Sequence, residues 1–333
     1  MTKVALSDSY GRTAVDLRVS LTDKCNLRCT YCMPAEGLDW LAGPDVLTDD
    51  EVMRLIEIGT SRLGIREIRF TGGEPLLRRG LVAIVAATAA LRPRPDISLT
   101  TNGLGLAKLA PALVAAGLDR VNVSLDTLVP DRFAALTRRA RHSDVIEGLD
   151  AATRAGLAPI KINTVLMRGV NDDEAVPLLR FALQHGYEQR FIEQMPLDAG
   201  HIWTRATMVT ADEILAQLET EFKLIQDPDH RGAAPAETWL VDGYDGVKVG
   251  IIGSVTRPFC GDCDRTRLTA DGQIRSCLFS RDESDLRSAL RSGCEDAEIA
   301  DRWRIAMAAK LPGHAINDPS FLQPSRPMSA IGG

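Results

Sequence analysis

Six of the seven cysteines fall into two groups of three. Cys25, Cys29 and Cys32 lie within eight residues; Cys260 and Cys263 form a second close pair, with Cys277 thirteen intervening residues further on. An odd, sparse count is no disulfide framework, and thiols grouped in this way read as metal or redox ligands. A structural zinc site takes four protein ligands, and no nearby Cys or His completes the first group. An iron–sulfur cube is held through its irons, so three thiolates leave the fourth iron open to an exchangeable ligand. For the second group zinc stays open as well. C-x2-C followed by another cysteine is half of many zinc sites, and Cys294 or Asp262 could supply a fourth ligand.

Two further patterns carry chemistry. Thr71-Gly72-Gly73-Glu74-Pro75 puts two side-chain-free residues where backbone could approach a ligand closely. Between the cysteines of the second group lie Arg265, Thr266 and Arg267. In strand geometry residues i and i+2 point the same way, so two guanidiniums could converge on one anion such as phosphate. There is no complete G-x-G-x-x-G and no G-x-x-x-x-G-K-[ST], so nucleotide binding would use neither familiar phosphate loop. No two of the five histidines have the i, i+4 spacing of a zinc hydrolase.

The elements that must hold these residues alternate along the chain. Strand-like runs at Asp16–Leu21, Glu67–Thr71, Ile97–Thr101, Arg120–Leu125, Ile160–Leu166 and Arg190–Gln194 are separated by amphipathic helical stretches. Thr48 with Glu51, and Thr210 with Glu213, have capping-box spacing; Gly64, Gly117, Gly156 and Gly186 sit where helices should stop. Six βα units predict an α/β fold, a partial (βα)6 TIM-type barrel of parallel strands, with a doubly wound open sheet as the rival. Either fold puts ligand chemistry at the C-terminal strand ends, where Thr71–Glu74, Thr100–Gly103, Ser124–Asp126 and Gln194–Met195 fall. The period breaks near residue 225. The expected organisation is therefore a barrel over 1–225 with the first cysteine site, and a smaller C-terminal appendage over 226–333. That appendage holds the second site, substrate-binding residues and a Gly-Gly tail, with short strands at Trp239–Val241 and Val247–Ile252 and a proline-rich, extended last segment.

Composition excludes several classes. With 45% hydrophobic and 25% charged residues over 333 positions the chain is ordinary globular material. A net charge of −6 disfavours a nucleic-acid-coating protein. No apolar run reaches the roughly 18 residues of a membrane span, and the first residues lack a secretory apolar core. The expectation is a cytoplasmic protein with no nucleic-acid or membrane partner.

The C-x3-C-x2-C spacing, with Tyr31 before its last cysteine, resembles the radical S-adenosylmethionine (SAM) superfamily. The segments at 16–34, 69–78, 259–279 and 328–333 resemble, within it, the GTP 3′,8-cyclase family of molybdenum cofactor biosynthesis. The resemblance implies a partial parallel barrel and two [4Fe-4S] clusters. It implies a lyase that cleaves SAM to a 5′-deoxyadenosyl radical, abstracts hydrogen from ribose C3′ of GTP and joins that carbon to guanine C8. The product would be (8S)-3′,8-cyclo-7,8-dihydroguanosine 5′-triphosphate.

Carried over residue by residue, the resemblance implies that Cys25, Cys29 and Cys32 hold the first cluster, and Cys260, Cys263 and Cys277 the second. Tyr31, Gly73, Ser124 and Met195 match SAM contacts. Arg18, Arg69, Thr100, Lys161, Arg265, Thr266 and Arg267 match GTP contacts, with Arg190 a further basic one. Gly332 and Gly333 match a tail that reaches the active site. Cys294 has no assigned role. Implied partners are a one-electron reductant such as flavodoxin and the next pathway enzyme, cyclic pyranopterin monophosphate synthase; a homodimer is left open. The alternatives are a radical peptide maturase with an auxiliary cluster and a non-catalytic iron–sulfur redox sensor. The Gly-Gly end and the arginines between cluster ligands disfavour the maturase.

Overall fold

The structure, a computed structural model, describes residues 5–332. A two-stranded hairpin comes first, β1 (Leu6–Ser7) and β2 (Thr13–Ala14). The six alternating strands follow as β3 (Asp16–Ser20), β4 (Glu67–Thr71), β5 (Asp96–Thr101), β6 (Arg120–Ser124), β7 (Ile160–Leu166) and β8 (Glu188–Glu193). They pair in parallel and in chain order, so every crossover steps one place in the same direction. A doubly wound sheet reverses direction at a switch point. This one does not, and the winding is that of a barrel. Among the described residues no strand joins its two edges, so the barrel is partial.

The crossovers are helical: α1 (Asp49–Arg62), α2 (Leu81–Ala90), α3 (Leu106–Ala115), α4 (Pro130–Thr137), α5 (His142–Arg154), α6 (Ala175–His185) and α7 (Ala211–Leu218). Both expected capping boxes form, at the starts of α1 and α7, and each is worth about 1 kcal/mol. Gly64, Gly117, Gly156 and Gly186 follow their helices with φ of 82°, 99°, 87° and 72°, the left-handed backbone that a glycine stop requires. The strands alternate strictly. Leu17, Val19, Ile68, Phe70, Leu99, Val121 and Val123 pack outward in one core with helical Leu55, Val85, Leu113 and Leu149. The alternate residues, among them Arg18, Arg69, Thr100, Ser124 and Asn163, face a cavity inside the barrel.

The C-terminal region supplies β9 (Leu224–Gln226), β10 (Glu237–Val241), β11 (Lys248–Ile252), β12 (Arg265–Leu268), β13 (Gln273–Arg275) and β14 (Ser284–Asp285). It also contributes α8 (Arg287–Arg291), α9 (Asp296–Ala308) and α10 (Met328–Ile331). This region joins the barrel sheet at both edges: β11 pairs in parallel with β8, and β12 with β3. The fully buried Glu193 at the end of β8 fastens one junction by accepting from the backbone of Ala211, Val255 and Thr256. The last segment departs from the extended chain expected of it. Its prolines precede one helical turn, α10, and Ile331 is buried with Leu197, Met208, Val255, Phe279 and Ile316.

Candidate active site

The two cysteine triads stand at opposite ends of the strands. Cys25, Cys29 and Cys32 belong to the loop that leaves the C-terminal end of β3. Cys260 and Cys263 precede β12, whose first residue, Arg265, pairs with Asp16 at the start of β3. β13 runs back antiparallel to β12, which returns Cys277 to that same end. The expectation that all ligand chemistry gathers at C-terminal strand ends therefore fails for the second triad, because a strand added at the sheet edge brings its preceding loop to the other mouth. From the level of Asp16 to that of Ser20 the strand rises about 13 Å. A single cavity of about 320 Å³ runs through this interior and is lined by all six cysteines.

The loop of the first triad is pressed against the two glycines after β4. Gly73 N–H donates to Thr22 O at 2.7 Å and Glu74 N–H to Lys24 O at 2.8 Å. A Cβ on Gly72 would lie 2.3 Å from Thr22 O, and one on Gly73 would lie 2.4 Å from both Asp23 O and Lys24 O. What approaches these glycines most closely is the chain's own cluster loop, and both also line the cavity. Glu74 is fully buried, accepting from Leu76 N, Thr101 Oγ1 and Asn102 N, and burial pushes its carboxyl up to about 7. Tyr31 donates its hydroxyl to Asp126 at 2.7 Å. Burial, followed by Cys25, pushes the Cys32 thiol up to about 12; burial also raises Cys25 and Cys29. Thiols this reluctant to ionise alone hold a proton until a metal displaces it.

Between the mouths stands a cluster of arginines. In register across three strands, Arg267 is opposite Arg18 and Arg18 opposite Arg69, while Arg265 is opposite Asp16. The anion among them is Asp16, with contacts of 3.8 Å to Arg18 and 3.9 Å to Arg69. Burial raises the Asp16 carboxyl, but Arg18, Arg69, Arg265 and Arg267 outweigh it and hold the group below its ordinary range. Asp264 reaches only Arg265, at 3.9 Å, and two carboxylates do not balance four guanidiniums; the deficit is visible. Arg18 Nε and Arg69 Nε are buried without a hydrogen-bond partner, and burial with like charge pulls Arg18 well below its usual value. Under-compensated buried cations of this kind fit a polyanion in the cavity. Arg267 additionally donates to Gly332 O, tying this layer to the tail.

Around the second triad the field is positive. Burial raises Cys263, but Arg265 and then Lys310 outweigh it and bring the thiol down to about 7. Arg265 lies over the Phe259 ring at 5.1 Å. Among the described residues no three His, Cys, Asp or Glu side chains draw together as a single bound ion requires. Neither rival fourth ligand of a zinc site is suitably placed. Asp262 is exposed, and Cys294 packs against the barrel core with its Sγ 3.5 Å from Ser292 Oγ. Two open sets of three thiols, each facing the cavity, fit two four-iron clusters with one iron apiece left for another ligand.

Of the expected residues, Arg18, Tyr31, Arg69, Gly73, Thr100, Ser124, Arg190, Met195, Arg265 and Arg267 line this cavity with the cysteines. Lys161 does not. It shares a strand face with Asn163 and Val165, which do, but its Nζ is held 2.9 Å from Glu188. Thr266 alternates to the opposite face, where its buried hydroxyl accepts from the Trp303 indole at 3.1 Å. Its side chain is core, so the 265–267 segment meets the cavity through the side chains of its two arginines. Gly332 packs behind the lining, where a Cβ would meet Ser20 Oγ at 2.4 Å. Gly333 lies outside the described residues. Asn163, Asp16 and His314 escaped the sequence reading, which named Asp126 only as a strand-end residue. Period two from Lys161 and Arg18 would have found the first two, whereas His314 has no such local signal.

A partial parallel barrel with an open three-thiol loop after its first strand defines the radical SAM class. Residues 19–182 match the Radical SAM superfamily, and residues 187–316 match Molybdenum Cofactor Synthesis C. The chain is 66% identical to the GTP 3′,8-cyclase of Streptomyces coelicolor, covering 98% of this chain and 96% of the relative. It is 60% identical to that of Mycolicibacterium smegmatis, covering 98% and 92%. The fold is also similar to Streptococcus suis SuiB, crystallised with its precursor peptide SuiA. That match has a TM-score of 0.63 and 13% identity, over 89% of this chain and 67% of the other. The chain belongs to the GTP 3′,8-cyclase family of radical SAM enzymes.

Proposed function

We propose that the enzyme converts GTP to (8S)-3′,8-cyclo-7,8-dihydroguanosine 5′-triphosphate, the first step of molybdenum cofactor synthesis. The observation that carries this reading is the single cavity walled by one cysteine triad at each mouth, with a layer of under-compensated arginines between them. Cys25, Cys29 and Cys32 would hold the first cluster, which would supply the one-electron reduction of SAM on which radical chemistry at ribose C3′ and guanine C8 depends.

The protein's own residues orient and enclose. Arg18, Arg69, Arg265 and Arg267 bind the triphosphate, exchanging mutual repulsion for charge-assisted hydrogen bonds. Cys260, Cys263 and Cys277 would hold the second cluster, which would supply an anchoring site for the purine end of the nucleotide. A nucleotide anchored at both ends has its ribose fixed between them, the condition for reacting atoms to meet at about 3–3.5 Å. Tyr31, Gly73, Ser124 and Met195 surround the methionine and adenosine portions of SAM. Arg190 adds charge near Asn163, its register neighbour. Lys161 serves the substrate by releasing Glu188. Gly332 closes the site through the bond from Arg267, and the Gly-Gly end takes part in the reaction. Phe259, Phe279 and Met328 line the cavity with apolar surface that excludes water from a radical. The electron comes from a small cytoplasmic reductant such as flavodoxin, and the product passes to cyclic pyranopterin monophosphate synthase.

The test is anaerobic reconstitution followed by measurement of 5′-deoxyadenosine with GTP, with a candidate peptide and with neither. GTP-dependent 5′-deoxyadenosine together with a cyclised nucleotide in the mass spectrum is the expected outcome. Peptide dependence would replace the reading with a maturase, and no 5′-deoxyadenosine under reducing conditions would replace it with a sensor.

A further inference from the structure

Lys310 stands just past α9, only 3% exposed, where no spacing rule draws attention to it. Its ammonium donates to Cys263 O at 3.1 Å, to Cys263 Sγ at 3.2 Å and to Arg265 O at 3.0 Å. Every proton of a buried cation is thus directed at one cysteine and the strand that follows it. Two carbonyl dipoles do not offset a buried ammonium, whereas a cluster-bound thiolate supplies the missing charge. The first triad has different surroundings. The side chains that hydrogen-bond its sulfurs are neutral, Asn102 at 3.8 Å from Cys25 Sγ, Tyr31 at Cys29 and Ser329 at Cys32, while Arg28 donates to the Cys25 carbonyl. The carboxyl of Asp126 lines the cavity on that side.

We propose that Lys310 is a positioning residue that sets the potential of the second cluster, its N–H to sulfur bond and its charge making that cluster the easier of the two to reduce. Reduction adds negative charge to a cluster, and a hydrogen bond to a ligand sulfur with a nearby cation stabilises that added charge. Arg265 acts in the same direction but belongs to the substrate set, so Lys310 is the separable contribution. The proposal rests on the two-cluster reading given above.

The test is a potentiometric titration of the reconstituted full chain, following each cluster by its electron paramagnetic resonance signal, with chelator-driven iron release as a second readout. Lys310→Met should move the second cluster to a lower potential and speed its iron loss several-fold, with the first cluster unmoved; Lys310→Arg should restore both. Should the Met chain fail to fold, Lys310→Gln is read in the same way, and the first cluster reports folding within the same molecule. A wild-type protein carrying one cluster would overturn the two-cluster reading itself. Two clusters in the wild type, with an unaltered second potential in the uncharged variant, would overturn the role of Lys310 alone. Equal shifts of both clusters would overturn it too, by marking general loosening.

Discussion

Arg267 and Thr266 are neighbours in β12 with opposite fates, and that difference is testable. Arg267 faces the cavity, in register with Arg18, where burial, followed by Arg265, pulls its guanidinium down to about 10. Thr266 faces Trp303 in the core. A hydrogen bond to a charged group is worth about 1.5–3 kcal/mol, so Arg267→Ala should weaken GTP binding roughly ten- to hundredfold with little change in stability. Thr266→Val should do the reverse. It strands the Trp303 N–H at a cost of about 1–3 kcal/mol, read as a lower Tm, and leaves GTP affinity unaltered. Isothermal titration and thermal unfolding of both variants check the assignment. Equal losses of GTP affinity would mean that Thr266 reaches the substrate after all.

At the scale of elements the decisive contact is between the loop after β3 and the glycines after β4. Gly73→Ala puts a methyl 2.4 Å from two carbonyls of the cluster loop, and backbone cannot yield as a flexible side chain would. The loop must lift, so the variant should lose the first cluster while retaining the second and its affinity for GTP. Iron and sulfide analysis of anaerobic protein decides the matter, and two intact clusters would refute it. The six barrel strands, both capping boxes and the glycine stops were legible because each is written in local spacing: period two, S/T-x-x-E, and a glycine after a periodic run. The pairing of β12 with β3 was not, since about 250 residues separate partners that share no local signal. The same gap hid the second triad's position at the opposite mouth. The helical turn α10 was masked by prolines, whose effect is to fix the entry to that turn.

For the molecule as a whole, the consequence concerns what residues 1–225 can do alone. In the full chain β12 covers β3, β11 covers β8, and Glu193 accepts backbone donors from beyond residue 250. A chain ending at 225 would expose both sheet edges and leave Glu193 buried with three of its four donors missing. Unpaired parallel edges recruit other chains, and an uncompensated buried carboxylate costs several kcal/mol, against a typical domain stability of about 5–15 kcal/mol. The truncated chain should therefore aggregate or form soluble oligomers, and should not hold a first cluster that cleaves SAM. Size-exclusion chromatography and iron analysis, run beside the full chain, measure this directly. A monodisperse monomer with an intact first cluster would mean that the barrel is an autonomous domain to which the second site was added. Failure to fold would mean that one cooperative sheet carries both clusters, with the distance between its two mouths fixed by the strands that the nucleotide must span.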